Sequence, residues 1–203
     1  MSFLTKEQIH KIGFAKVGDH VFISDKTSFY NPSKISMGSY VRIDDFCVFS
    51  AGSGGIELGD SVHISSFVTL IGEAKIKIGT YCGLSSKVSV FSSNDDFSGL
   101  SLPGVKILIP EKFRNVINRP VIFEDYTGIG TLSVVLPGVT ISEGTMVGSL
   151  SLVRKDLKPW SIYSGNPLRF IKKRSQEMLR FIPELKKMRE DGSIEVYEYG
   201  VDS

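Results

Sequence analysis

The stretch Phe123–Val153, FEDYTGIGTLSVVLPGVTISEGTMVGSLSLV, places an apolar residue at every sixth position: Phe123, Ile129, Val135, Ile141, Val147 and Val153. The next residue is small at Gly130, Ser142 and Gly148, and a small or β-branched residue stands four places after the apolar one, as at Thr127, Ser133, Val139, Thr145 and Ser151. A short strand with a tight corner takes about six residues, so about three such units close one triangular coil, and their apolar side chains stack down a common core. Corners need φ > 0 or a close backbone approach, both of which glycine permits. The second inward position must stay small in so narrow a prism. A β-sandwich would instead alternate with a period of about two and turn at irregular intervals. The period predicts a left-handed parallel β-helix, an all-β solenoid.

Working outward, the same phasing occurs at Val17, Ile23, Phe29, Ile35, Val41 and Cys47, then at Leu58, Ile64 and Leu70, then at Ile78, Leu84 and Val90. Gly52-Ser53-Gly54-Gly55 reads as a corner insertion that causes the first slip, and Ile76-Lys77 as the second. Residues 96–120 break the pattern and contain Pro103, Pro110 and Pro120, so they form a long excursion loop, a feature that is usually functional. Thr5–Lys11 reads as a short helix with Thr5 as N-cap, Gln8 completing a capping box and Gly13 ending it. After Trp160 the chain changes character. Arg169–Arg180 and Pro183–Glu190 read as two helices that close the prism, with a strand over Ile194–Tyr199. The expected organisation is a lead-in over 1–16, a β-helix domain over 17–159 and a helical cap over 160–203.

A formal charge of +2 over 203 residues is too mild to point to nucleic acid. No apolar run reaches the roughly 20 residues that span a bilayer, and Met1–Lys6 lacks a basic segment followed by an apolar one, so a cytoplasmic protein is expected. Cys47 and Cys82 fall at inward positions and read as buried free thiols. His10, His20 and His63 share no metal-ligand spacing, so no metal is expected.

Leu136-Pro137-Gly138-Val139-Thr140-Ile141, then Val153-Arg154-Lys155-Asp156, then Ser164-Gly165-Asn166-Pro167 and the basic stretch Arg169–Arg174 resemble the C-terminal signature of hexapeptide-repeat acyltransferases. The resemblance is to galactoside and maltose acetyltransferases and to the acetyltransferases of bacterial surface polysaccharides. It implies a homotrimer of parallel prisms, with acetyl-CoA in the groove between neighbours and direct transfer to a hydroxyl or amine.

A sugar hydroxyl needs a base as it attacks a thioester, and the developing oxyanion needs an N–H donor. In the galactoside enzymes the base is a histidine at the start of the long loop. Alignment puts Asp95 at that position, within Ser92–Gly99, where this chain has no histidine. His63 is the expected replacement, facing Asp95 across an intersubunit cleft, the carboxylate orienting the imidazole. Its competing reading is an ordinary corner histidine. Ser65 aligns with a substrate-binding asparagine, and Asn94 and Asp96 flank Asp95 as candidate substrate contacts, with loop solvation the alternative for Asp96. The resemblance assigns Thr131 to the oxyanion and Ser149 to the pantetheine amides, the competing reading being that both are ordinary corner residues. Arg154, Lys155 and Arg174 are the candidates for the CoA phosphates, within a cluster of which some members only solvate the cap. Trp160 reads as packing under the cap or as an adenine stack.

The sequence therefore predicts an acetyl-CoA-dependent sugar O-acetyltransferase of bacterial surface-glycan (lipopolysaccharide or capsule) synthesis or of a related glycoside. Its rivals are an N-acetyltransferase acting on a nucleotide-linked amino-deoxysugar and a non-catalytic trimeric scaffold. An amine is nucleophilic once unprotonated, so N-acetylation tolerates the missing loop histidine better.

Overall fold

The computed structural model describes residues 2–105 and 107–194. Three sheets form the sides of a prism, two of six parallel strands and one of eight whose last strand alone is antiparallel. The strands repeat in fixed order around the axis, so that Leu58 pairs with Ile78, Ile64 with Leu84 and Leu70 with Val90 on the three sides. The core is the interior of this stack. Ile43, Ile64, Leu70, Ile78, Phe123 and Val135 are all fully buried in it.

Turns of eighteen residues occur only at the C-terminal end, where Ile129 pairs with Val147 and Val135 with Val153. Earlier turns are longer. Ile23 pairs with Ile43 and Phe29 with Phe49, so two extra residues enter at the 3-10 segment Pro32–Lys34. This corrects the reading of the first run. Val41 and Cys47 belong to the second inward row, beside Val62 and Val68, and Ile43 and Phe49 carry the main one. Each turn has two inward rows two residues apart, so an insertion of two moves the hexad from one row to the other without breaking its period.

The second slip is also displaced. Ile76–Ile78 is a strand, and the extra residues lie just before it at the corner Gly72–Lys75. That corner stacks on Gly52–Gly55, with Gly54 N–H donating to Glu73 O at 2.8 Å and Ser53 N–H to Glu73 Oε1 at 3.0 Å.

At Gly18 and Gly130 glycine serves close approach rather than φ. A Cβ on Gly18 would lie 2.5 Å from Gly38 C, and one on Gly130 would lie 2.4 Å from Ser149 N. Glycine takes the left-handed corner positions at Gly138 and Gly144, and larger residues take others, including Tyr40, Phe46, Phe67, Tyr81, Tyr126, Leu132 and Trp160. Such a φ costs about 1–2 kcal/mol for an L-residue. Stacking of successive corners, worth about 0.5–1.5 kcal/mol a pair, offsets part of that. Phe46 stacks on Phe67 at 5.0 Å between centroids, and Tyr81 on Tyr126 at 5.5 Å.

The helix α1 (Lys6–Ile12) has both bonds of the expected capping box at Thr5 and Gln8, and Gly13 closes it in the left-handed region at φ +80. At the other end Arg169–Lys173 is a strand, antiparallel to Ser161–Ser164, where a helix was expected. Its side chains are exposed and it lies against the last rung of the second sheet, which leaves that rung's backbone paired. A 3-10 segment, Glu177–Phe181, and the helix α2 (Ile182–Glu190) complete the cap. The strand expected over Ile194–Tyr199 falls, from residue 195 onward, outside the described residues.

Candidate active site

His63 begins the strand His63–Ile64 of the second sheet, with Ile64 buried and the imidazole facing outward, half exposed. Its Nε2 lies 3.0 Å from Asp44 Oδ2, and the other carboxylate oxygen of Asp44 accepts from Arg42 Nε at 2.7 Å. An ionised carboxylate can only accept, so Nε2 carries the hydrogen of this contact, and in the neutral ring Nδ1 is the remaining acceptor. Asp44 is 7 % exposed, held by a rung of backbone bonds to Ile64. Within one chain, then, the partner of His63 is Asp44.

A cavity of about 350 Å³ opens beside it on the outer face of the second sheet. Its lining includes His63, Ser65, Tyr81, Ser85, Met146 and Arg174. Ser85 follows Leu84 on the next rung, and Ser65 N–H donates to Leu84 O at 2.9 Å, which places the two serines side by side.

Asp95 belongs to different structure. Ser93–Asp95 pairs antiparallel with Val116–Asn118, a two-stranded root from which the excursion loop departs, so the excursion begins three residues earlier than expected. This root follows the strand Ser89–Phe91 of the third sheet, and His63 sits on the second. The chain does not bring His63 and Asp95 together within itself. Asn94 lies opposite Ile117 in the root. Asp96 organises the loop: its carboxylate accepts from Ser98 N–H at 2.9 Å, Ser98 Oγ at 2.7 Å and Ser101 Oγ at 2.9 Å. These bonds, those from Ser98 foremost, hold its pKa below the ordinary 3.8. Beyond the root, Phe97, Leu100, Ile107 and Leu108 are exposed.

Thr131 and Ser149 stand on successive rungs at the same corner, linked by Leu150 N–H donating to Thr131 O at 2.9 Å. The Thr131 hydroxyl donates to Ser86 O, and Ser149 is exposed. Arg154 and Lys155 are exposed near the C-terminal end of the prism. Arg174 is engaged differently: Nη1 donates to Tyr126 O at 2.7 Å and Gly144 O at 2.9 Å, and its guanidinium lies 5.9 Å from the Trp160 ring. It ties the cap to the corner ladder, and burial lowers its pKa. Trp160 stacks toward Tyr126 under that guanidinium, in keeping with the packing reading. Cys47 and Cys82 are buried free thiols, and burial pushes the Cys47 pKa to about 11. No group of three or more His, Cys, Asp or Glu among the described residues could hold a metal, and no helix there is long and apolar enough to cross a membrane.

Two residues of this constellation, Asp44 and Ser85, were not singled out by the sequence reading. Asp44 had a signal. It stands in the corner position after the inward aliphatic residue, where Ser24, Ser65, Ser85 and Gly130 are small and uncharged.

No protein-family profile matches the chain. It is 41% identical over 181 residues to the dTDP-4-amino-4,6-dideoxy-D-glucose acyltransferase of Escherichia coli, spanning 88% of this chain and 92% of that one. It superposes with a TM-score of 0.87 and 39% identity on AntD, an N-acyltransferase of Bacillus cereus solved with dTDP and 3-hydroxybutyryl-CoA, over 93% of this chain and 98% of that one. Similarity to the lipopolysaccharide O-acetyltransferase WbbJ of Escherichia coli K12 is lower, 29% over 69% of each chain. These matches favour the N-acyl reading over the O-acetyl one as the closer kinship. Acyl transfer from a coenzyme A thioester to a sugar is the activity they share with the sequence reading, and the chain belongs to the hexapeptide-repeat acyltransferase family that includes the dTDP-4-amino-4,6-dideoxy-D-glucose acyltransferase.

Proposed function

We propose that the protein N-acylates the amino group of a nucleotide-linked amino-deoxysugar, of the dTDP-4-amino-4,6-dideoxyglucose class, using an acyl-CoA donor. The observation that carries this is a carboxylate, Asp95, at the loop root where the resemblance to galactoside acetyltransferases implies a histidine, in a chain 41% identical along nearly its full length to an amino-sugar acyltransferase. A carboxylate is suited to an ammonium group, which it attracts and orients. In the reaction the ammonium first gives one proton to the Asp95 carboxylate and on to solvent, the neutral amine attacks the thioester carbonyl, the C–N bond forms and the C–S bond breaks. The proton shed by nitrogen ends on the departing sulfur, giving free CoA.

AntD has been solved with single substitutions at a serine and at an aspartate ten positions apart, and Ser85 and Asp95 have that spacing here. Ser86 and Asp96 share it. Ser86, however, is tied to Thr131 through its carbonyl and Asp96 to its own loop, whereas Ser85 lines the open cavity. We therefore assign Ser85 to the thioester carbonyl and Asp95 to the acceptor amine. His63, Ser65 and Ser85 form one wall of the site, and Asp95 of a neighbouring copy, with Asn94 and Asp96 beside it, forms the other, so the working unit is a homotrimer. The CoA lies toward the C-terminal turns, along Thr131 and Ser149, with Arg154 and Lys155 at its phosphates and Arg174 holding the cap behind them. The test is turnover with dTDP-4-amino-4,6-dideoxyglucose against its 4-hydroxy counterpart, with mass spectrometry of the product. The amine should be acylated and the hydroxyl analogue left unchanged.

The Asp44–His63 pair favours a second reading, O-acylation with His63 as general base. Efficient turnover of the hydroxyl analogue, abolished by His63→Ala, would establish it.

A further inference from the structure

Along two of the prism's three edges the spacing never varies between Val17 and Val153. One hexad separates the inward residues of the first sheet from those of the second, and those of the second from the third, as at Met37, Ile43 and Phe49, at Leu58, Ile64 and Leu70, and at Phe123, Ile129 and Val135. Every insertion falls on the remaining edge, where the chain returns from the third sheet to the first. There the paths from Phe29 to Met37, Phe49 to Leu58 and Leu70 to Ile78 are longer than that from Val135 to Ile141, and the path from Val90 to Phe123 holds the whole excursion. Surface loops tolerate insertions wherever they fall. Here they collect on one edge, on the N-terminal side of the excursion and not beyond it.

These enlarged corners stack. Gly52–Gly55 lies against Gly72–Lys75, and a Cβ on Gly52 would overlap Glu73 Cα. Gly72–Lys75 in turn holds both ends of the excursion. On the outgoing side the buried Ser92 donates from Oγ to Ala74 O at 2.6 Å, and Ser93 Oγ accepts from Glu73 N–H at 2.7 Å. On the returning side Val121 N–H donates to Lys75 O at 2.9 Å. The two sides are joined by Ser93 Oγ donating to Asn118 Oδ1 at 2.7 Å and by Arg119 N–H donating to Ser92 O at 3.0 Å. The root needs such support, because a pair of three-residue strands is marginal by itself in water and none of residues 93–95 and 116–118 is buried.

We propose that the stacked corners form a bracket that sets the angle at which the excursion leaves the prism, and that Ser93, where bracket and root meet, is a positioning residue for Asp95. The proposal rests on the assignment of Asp95 to the acceptor amine. Asp95 lies two residues beyond Ser93 on the same strand, about 7 Å further out. A tilt of roughly 10° at Ser93 moves the carboxylate by about 1 Å, a displacement that costs up to about a hundredfold in rate where reacting groups must be aligned. Glu73 presents its N–H to Ser93 because its own backbone is held from the other side, with Gly54 N–H donating to Glu73 O and Ser53 N–H to its carboxylate. The glycine-rich insertion at Gly52–Gly55 thereby reaches the reaction through two layers of hydrogen bonds.

The experiment measures kcat and KM for dTDP-4-amino-4,6-dideoxyglucose with acetyl-CoA, the affinity for acetyl-CoA by calorimetry, and amide hydrogen exchange across residues 93–95 and 116–118. The proteins compared are the wild type, Ser93→Ala, Ser93→Thr, Asn118→Ala, Asp95→Ala and Gly18→Ala. Ser93→Ala and Asn118→Ala should each lower kcat about tenfold or more, speed exchange in the root and leave acetyl-CoA affinity unchanged. Ser93→Thr keeps the hydroxyl and should restore most of the rate. Gly18→Ala forces a Cβ to 2.5 Å from Gly38 C on a different edge, so it should lower the melting midpoint without changing kcat or root exchange. A wild-type kcat in Ser93→Ala, or a loss matched by Gly18→Ala, overturns the proposal. Asp95→Ala separates the bracket from the reading beneath it. If that variant turns over like the wild type, or the wild type does not turn over, the acceptor assignment fails and root exchange decides the bracket, with unchanged exchange in Ser93→Ala refuting it.

Discussion

His63 stands on a rung of the solenoid, backed by Asp44 at 7 % exposure and by the fully buried Ile64, whereas Asp95 stands at the root of a hairpin whose tip residues are exposed. The first wall is fixed by the backbone ladder and the stacked core beneath it, so its geometry is set before any ligand arrives. The second is held by a two-stranded pairing and by the hydrogen bonds of Asp96 to Ser98 and Ser101. The contrast divides the chemistry. Elements that must hold a thioester precisely belong on rungs, and an element that must admit and then grip a bulky acceptor belongs on a loop.

The largest expected effect is on the loop side. If Asp95 holds the acceptor ammonium as proposed, Asp95→Ala removes a charge-assisted bond of about 2–3 kcal/mol, which corresponds to roughly a hundredfold loss in kcat/KM for the amino sugar. Binding of acyl-CoA should be unaffected, and a comparable loss there would merge the two walls into one. On the rung side, Gly130→Ala forces a Cβ to within 2.4 Å of Ser149 N and should destabilise the fold by about 1–3 kcal/mol, read as a lower melting midpoint. Gly83→Ala, with open space, should leave that midpoint in place. Equal melting of the two variants would contradict the distinction between a packing glycine and one with open space around it.

Replacing Arg154 and Lys155 together by Ala should raise the KM for acyl-CoA about tenfold, with less salt dependence than the wild type shows. An equal rise for the sugar would displace the CoA phosphates from that end of the prism. With an amine acceptor, His63→Ala should keep turnover within about tenfold of the wild type, a loss too small for a general base. A deficit of a hundredfold or more would return the imidazole to that role. The smallest effect is one of pH. Because hydrogen bonds from Ser98 depress the Asp96 pKa, its contribution to loop order is complete above 3.8 and is lost as pH falls through its lower folded value. Ser98 and Leu100 amide resonances should report a midpoint below 3.8, and a midpoint above it would break the account of the loop.

The solenoid was legible because its core repeats. Phe123 to Val153 has no insertions, so period and register coincide there. The N-terminal turns were legible only as a class. The two residues inserted before Ile35 carried the phase from one inward row to the other, and both rows are apolar, so Val41 and Cys47 matched the period from the wrong row. The capping box at Thr5 was read correctly because both of its bonds are local. Arg169–Arg180 was misread because its pairing with Ser161–Ser164 is a tertiary edge contact, and its own composition says little about that. At the site, His63 and Asp95 were visible as residue types. The partner of His63 was not, because Asp44 meets it across 19 residues through a register that the earlier insertions had shifted.

The central claim is that this site acylates an amine. The most direct measurement is incubation of the purified protein with acyl-CoA and equal amounts of dTDP-4-amino-4,6-dideoxyglucose and its 4-hydroxy counterpart, following free thiol release and the mass of each nucleotide sugar. The account predicts a stoichiometric mass increase on the amino sugar alone, matched mole for mole by CoA thiol. Acylation of the hydroxyl compound with the amino sugar left unmodified would contradict it.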